Sequence, residues 1–503
     1  MIPPLAAILA WPLVAISFFR SMTLPVALSW CFIGSYLFLP ERGSIDLPGL
    51  PEIGKDSMPS LVAVAAILIL KPAISKNAGN TVLSGWLPGN RLIAVLLIGL
   101  LISSMLTVAL NQDPIVAENV FIPALSLYDS MSTLLNAIIA VLPFLAARRH
   151  LASPEQHRDL LRVLCTAGLI YSLPIIFEVI MSPKLSLMIY GFFPHSFLQH
   201  LRAGGYRPVV FLHHGLWLAI FMAGTVLAAF ALYRAQKDAR KGTYFLAALW
   251  LLFILFMCRS LGAFAITLLI LPVILFCNSR TQVVFAAAIA GVILVYPSLR
   301  GAGVIPVDQV NRLAASISEE RSASFRYRLT NEEILLEKAN RRPFFGWGGW
   351  GRSLIYDEEG RMTSTADGMW VIAIGRDGWV GYLCRFGLFC APIIILALRR
   401  KKYILHPETA GLGLIMVAYL VDLIPNATLT PMTWLIAGAL AGRLELTNSD
   451  LASAPAQDGE EENAERVRYS RFPPKAATVG FVRKRGQAVQ HSRTQPRENR
   501  RGS

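Results

Sequence analysis

Arginine and histidine gather in one short stretch of the chain, where Arg202 and Arg207 precede Phe211, His213 and His214 at the start of an apolar run. A guanidinium fork is permanently charged and makes bidentate bonds to phosphate oxygens, so two arginines at one mouth suit a phosphate-bearing ligand. They also suit a plainer role, in which the arginines snorkel to lipid head groups and the histidines hydrogen-bond inside a helix bundle. A second stretch has Phe325, Leu329, Leu336 and Ala339 at helical spacing, with Arg321, Arg328, Glu332 and Glu333 mostly on other faces. That pattern predicts an amphipathic helix over about 322–340, lying against a bundle or lipid. Arg342 and Pro343 end it, because the residue before a proline disfavours the helical region. The glycine-punctuated turn from Phe344 to Gly351 follows and carries Phe344, Phe345, Trp347 and Trp350. Those rings fit an interfacial aromatic belt, or a platform for sugar faces on which glycines admit close backbone approach.

The elements that must position these side chains are membrane helices. Of 503 residues 54% are hydrophobic and only 16% charged, with a mean hydropathy of +0.51, whereas a soluble chain is about one quarter charged. A soluble multidomain protein, a disordered chain and a collagen-like one are thereby excluded. The apolar residues fall in blocks at about 4–19, 22–39, 58–75, 91–110, 131–147, 163–181, 211–233, 243–258, 261–277, 282–297, 379–398, 410–425 and 428–442. At roughly 20 residues per span this predicts an all-α fold, a polytopic transmembrane helix bundle of about 12–13 spans within residues 1–443. The first block lacks the basic start and small-residue cleavage site of a signal peptide, and it is expected to be a span.

The charge is +15, from 47 Lys and Arg against 32 Asp and Glu. It sits in loops and the tail, and no zinc-finger spacing or RNA-binding signature accompanies it, so nucleic acid is not an expected partner. Arg148 and Arg149, then Arg234, Lys237, Arg240 and Lys241, then Arg399, Arg400, Lys401 and Lys402 each follow a span end. Such loops face the cytoplasm. Alternation then puts residues 41–57, about 111–130, 182–210 and 298–378 on the far side, the last being one large periplasmic loop that contains the amphipathic helix. Residues 444–503, with Glu460 to Glu462 and Arg483 to Arg485, are too polar to order themselves and are expected to form a disordered basic cytoplasmic tail that touches anionic lipid. The six cysteines lie in or beside apolar blocks without a CxxC pair. They are expected to be small hydrophobes, with neither disulfide nor structural zinc.

Taken together, residues 200–398 resemble the bacterial O-antigen ligases and O-antigen (Wzy-type) polymerases. The resemblance rests on Arg328, Pro343, Gly346, Gly348, Asp367, Gly378 and Gly381, and on Arg207, Pro208 and Phe211 as an upstream arginine motif. One departure stands out: counted back from Gly378, Asp367 occupies the position of the family's usual histidine, and Gly368 that of its asparagine. The resemblance implies glycosyl transfer from an undecaprenyl-diphosphate-linked glycan donor to a glycan or lipid acceptor, at the periplasmic face of the inner membrane and without metal or cofactor. Other polysaccharide export proteins are further expected partners.

Under that resemblance, the charge growing on a diphosphate leaving group calls for fixed guanidinium groups, with Arg207 and Arg328 first and Arg202, Arg321 and Arg326 in support. A proton acceptor for the attacking hydroxyl is expected among Asp367, Glu332, His213 and His214, in that order. Glu332 is set back because it stands four residues after Arg328, where a helix salt bridge would explain it. Trp347 and Trp350 are the substrate-binding aromatics. Glu178 is an intramembrane acid, by default a functional candidate, with pairing to an arginine as its plainer use. A polytopic transporter or flippase for lipid-linked oligosaccharide is the alternative, and it calls for paired halves and broken helices near the midplane. A polyprenyl-phosphate-sugar transferase of the other large membrane class would carry an acidic pair in its first outer loop, whereas Glu41, Asp46, Glu52 and Asp56 are all separated. A non-enzymatic scaffold is the last alternative. Polymerase and ligase use the same donor and differ in the acceptor, and the aspartate at 367 favours the polymerase.

Overall fold

A computed structural model describes residues 1–47, 51–70, 82–117, 119–202, 204–304, 312 and 319–446, with backbone alone at 117, 202 and 319–325. Within them every expected apolar block falls on a helix: α1 (Pro4–Ser21), α2 (Leu24–Phe38), α3 (Met58–Ile69), α4 (Arg91–Ala109), α5 (Leu127–His150), α6 (Pro154–Met181), α8 (Gly215–Ala235), α9 (Arg240–Met257), α10 (Leu261–Phe276), α11 (Ser279–Gly301), α13 (Met369–Leu398), α14 (Pro407–Asp422) and α15 (Pro431–Arg443). The short α7 (Leu185–Tyr190) and the polar α12 (Glu319–Asn340) lie between blocks. The tail from 447 on lies outside the described residues.

Among the described residues eight helices are long and apolar enough to cross a membrane: α1, α4, α5, α6, α8, α9, α11 and α13. Their outward faces carry Leu92, Val95, Ile98, Phe253, Phe256 and Val292, all more than 40% exposed. An apolar surface of that extent belongs against lipid, so the chain is a multi-pass membrane helix bundle. The other five blocks form helices of 16 residues or fewer. At 1.5 Å per residue these reach about 24 Å at most, against a hydrocarbon core of roughly 30 Å. The α14 and α15 helices are almost wholly buried in protein, so lipid does not set their length.

Helix α8 forms the centre and packs against α6, α9, α10 and α14, while α13 packs against α4, α11, α12 and α15. Local chemistry fixes several starts. Ser126 with Asp129, and Ser153 with Gln156, form capping boxes at α5 and α6, each satisfying otherwise orphaned amides. The loops divide between two ends. At one end Arg148 pairs with Glu445 and Arg158 with Glu408. At the other, residues 41–55 meet 211–213, and 111–129 meet 342–358.

Helix α13 starts at Met369, ten residues before the expected span, and it breaks at Gly378, where φ is 71°. The amides and carbonyls freed by the break are satisfied by the turn after α12. Trp347 and Gly348 amides donate to Gly375 and Arg376 carbonyls at 2.9 Å, and the Trp379 amide donates to the Pro343 carbonyl at 2.7 Å. A backbone break inside a membrane protein persists only where protein meets its polar groups. The twenty residues after Gly378 span about 30 Å, one hydrocarbon thickness, so the break sits at the end of the span and seats the glycine turn there.

Candidate functional site

Helix α12 forms as the stripe of Phe325, Leu329, Leu336 and Ala339 requires, and its Leu335, Leu336 and Ala339 are buried against α13 and the end of α11. One expectation is corrected here. Glu332 does not lie on a polar face, because seven residues separate it from both Phe325 and Ala339 and it fills the gap in the apolar stripe. The residue is 6% exposed, and its Oε2 has no hydrogen-bond partner. Burial pushes its pKa up from the usual 4.5 to about 7, against the opposing pull of Arg300, the Trp370 indole and Arg328, and with a further push from Asp367.

Arg328, one turn before Glu332, points elsewhere. Its Nε is 3.3 Å from Asp367 Oδ2, with both side chains about one third exposed, and its Nη1 donates to the Pro425 carbonyl at 3.5 Å. The helix salt bridge that would have explained Glu332 is therefore not made. Asp367 is held opposite α12 by its neighbours: the Thr365 amide donates to Asn331 Oδ1 at 2.8 Å, and Tyr327 and Thr365 hydroxyls lie 3.1 Å apart. The Met369 amide donates to the Leu423 carbonyl at 3.0 Å. Gly368 is pressed against the Ile424 carbonyl where no Cβ fits, which is a packing reason for glycine at this position.

That same 423–430 loop brings in an acid that sequence reasoning missed. Asp422 ends α14, is 3% exposed, and accepts from Asn426 Nδ2 at 2.9 Å and the Thr428 hydroxyl at 2.5 Å. Its carboxyl lies within electrostatic range of both Arg207 and Arg328, so it joins the two arginine stretches. An acid at the end of an apolar block is the signal that marks such a residue.

Arg207 is 4% exposed and lies over the start of α8, its Cδ and Nε 2.8 Å from where a Cβ on Gly215 would sit. Glu178 positions this segment. The Val209 and Val210 amides donate to its Oε2 at 2.8 and 2.7 Å, and the Leu185 amide to its Oε1 at 3.0 Å. Glu178 thus forms no arginine pair among the described residues; it is a backbone clamp beside Val210, whose φ is 58°.

The histidines divide. His214 caps α8 by accepting from the Leu216 amide at 3.1 Å, and its ring packs on His200 and His195 at centroid distances of 4.7 and 5.1 Å. His213 is half-exposed, 4.0 Å from Glu41 Oε2. The aromatics divide as well. Trp347 donates to the Lys338 carbonyl at 2.9 Å, and the Lys338 and Arg342 cations lie 5.3 and 4.5 Å from its ring centre, which makes it part of the turn's frame. Trp350 is 74% exposed. Arg326 is exposed on α12, and the side chains of Arg202 and Arg321 lie outside the described residues.

Two further arginines had no role at the site in the sequence reading. Arg352 is fully buried and donates to the Pro123, Asp113 and Trp347 carbonyls at 2.8, 2.8 and 3.1 Å. Arg342 pairs with Asp113 at 2.6 Å, and its hydrogen bond holds that carboxyl below the usual range. Together they staple the glycine turn to the end of α4. Among the described residues no three His, Cys, Asp or Glu side chains are placed to hold a metal ion.

The site therefore consists of two guanidinium groups and three carboxyls, Asp367, Glu332 and Asp422, brought together by α12, the end of α14 and the segments that precede α8 and α13. Compared with family models, with curated proteins and with solved structures, the chain matches none.

Proposed function

We propose that this membrane protein transfers or polymerises an undecaprenyl-diphosphate-linked oligosaccharide at the periplasmic face of the bacterial inner membrane, in O-antigen or exopolysaccharide biosynthesis. The observation that carries the reading is Arg328, one third exposed and 3.3 Å from Asp367, with Arg207 linked to it electrostatically through Asp422. Breaking a sugar–diphosphate bond leaves charge on the diphosphate oxygens, and preorganised guanidinium groups stabilise that charge best where water is excluded. Arg328 exchanges its Asp367 partner for the donor's phosphate, and the freed Asp367 or the neighbouring Glu332 takes the proton of the attacking hydroxyl. Glu332, with a pKa of about 7, is matched to that work at neutral pH. The basic loops at the opposite end of the bundle support a cytoplasmic placement for that end and for the C-terminus.

A second reading, a flippase for lipid-linked oligosaccharide, is favoured by the Arg385–Asp377 pair at 2.7 Å in α13, since ionisable residues within a span mark transport paths; the break at Gly378 lies at the end of the span and not at the midplane. The deciding experiment sizes surface polysaccharide and lipid-linked precursors together in cells lacking the chain. Single repeats accumulating on the lipid carrier support polymerase, and full-length chains retained on the carrier support ligase. Precursors trapped on the cytoplasmic side support the flippase, and unchanged glycans overturn both readings.

A further inference from the structure

Beside the charged site, a cavity of about 280 Å³ opens between α12, the first turns of α13 and the glycine turn. Leu335, Gly349, Trp350, Ser353 and Arg376 contribute to its wall. Its volume lies just below the roughly 300 Å³ at which ligand pockets usually start, and suits one ring rather than a chain.

Three features of Trp350 set it apart from a belt residue. Its side chain is 74% exposed, yet its edge is fixed, because Nε1 donates to Asp129 Oδ1 at 3.0 Å and Asp129 is itself held by the Ser126 hydroxyl at 2.7 Å. Its backbone has a φ of 58°, a region where a bulky residue is an outlier and strain marks sites of use. A membrane belt needs neither a cavity nor a strained, edge-anchored ring.

We infer that this cavity binds one hexose ring of a glycan, its apolar face on the Trp350 indole and its hydroxyls toward Arg376, Ser353 and the backbone of Gly349. An aromatic face against sugar C–H groups, with a few placed polar groups at the rim, is the usual division of labour in such a pocket. Leu335 is two helical turns from Arg328, about 10 Å along α12, so the bound ring is a neighbour of the reacting sugar and not that sugar itself. This assignment rests on the glycan-transfer reading above for the identity of its ligand.

The test uses the purified full chain and oligosaccharides of three to six rings cut from the host's own surface polysaccharide, with binding measured by saturation-transfer NMR and calorimetry. Wild type binds in the millimolar range or better; Trp350→Phe stays within about threefold, and Trp350→Ala weakens binding roughly tenfold or more. Gly349→Leu serves as a second variant, since a Cβ there meets nothing within 4 Å and the added side chain fills the cavity without disturbing the turn; it also abolishes binding. Wild-type affinity in both Trp350→Ala and Gly349→Leu overturns the site and leaves Trp350 as a membrane-interface anchor, as does an absence of wild-type binding at about 10 mM. Failure of the transfer reading is seen separately. If cells carrying Arg328→Ala make normal polymer while purified protein still binds oligosaccharide through Trp350, the sugar site stands and the reaction does not.

Discussion

Arg328 and Asp367 face each other at 3.3 Å across 39 residues of sequence, one on a helix, the other on the loop that leads into α13. Both are about one third exposed, and at such exposure an ion pair contributes less than about 1 kcal/mol to stability. The pair is therefore weak as a structural device, and both partners are accessible to a ligand. Arg328→Ala is expected to leave the protein at its normal level while turnover falls roughly 10²–10³-fold, the usual loss for one charge-stabilising donor. Lysine at 328 recovers little, because it lacks the fork that grips two oxygens. Polymer per cell at matched protein level is the measurement, and wild-type polymer in Arg328→Ala removes Arg328 from the mechanism.

Much of the scaffold was legible in the sequence because hydrophobic length is a local property. Each apolar block lies on a helix, and the Arg342–Pro343 stop of α12 falls where the proline rule puts it. The relations that build the site are of a different kind. Asp422 joins Arg207 and Arg328 only after three distant segments have packed, and Arg352 becomes a buried staple only once the turn has folded onto α4. Glu332 was legible in principle, as the one polar residue in register with Phe325, Leu336 and Ala339, but a charged residue is usually assigned to a polar face. The break at Gly378 was hidden because a single glycine in an apolar helix has several uses, and only the docked turn selects one.

Arg207 calls for a different expectation, because it is 4% exposed and has the buried Asp422 within electrostatic range. Removing one member of a buried charge group destabilises by about 3–5 kcal/mol. Arg207→Ala is thus expected to reduce both activity and protein level, whereas Arg328→Ala reduces activity alone. Glu178→Ala acts on the same segment by releasing three backbone amides, each bond to a carboxylate contributing about 1.5–3 kcal/mol. Thermal melting of the purified variants in detergent, beside polymer assays, separates the two effects. An Arg207→Ala protein with wild-type melting contradicts the buried-cluster picture.

Glu332 predicts a pH dependence with two linked signs. Its pKa in the fold is about 7 against a usual 4.5, so between these values the folded chain holds a proton that the unfolded chain has lost. Stability contributed by this group is therefore greatest below pH 4.5 and declines as pH rises toward 7. Base activity runs the other way, rising as the carboxylate forms near pH 7. Glu332→Gln should melt higher than wild type at pH 8, match it more closely at pH 5, and lose the rising limb of the pH–rate profile. If the limb persists in Glu332→Gln and disappears in Asp367→Asn, the base is Asp367.

The glycine at the break in α13 provides a test that touches no charged group. Gly378 has a φ of 71°, and a Cβ there would collide with the Phe344 carbonyl. Replacing it with alanine adds backbone strain of about 1–3 kcal/mol and pushes the 343–348 turn away from the carbonyls of Gly375 and Arg376. Either α13 straightens and the turn undocks, or the turn stays and the helix shifts. In both cases the residues before Met369, Asp367 among them, move relative to Arg328, and the required precision for such groups is within about 0.5 Å. Gly378→Ala is expected to lower turnover by at least tenfold while the bundle still assembles, and to open the 343–354 segment to protease. Wild-type turnover with a protected turn means that the break only accommodates the loop and does not set the distance between Arg328 and Asp367.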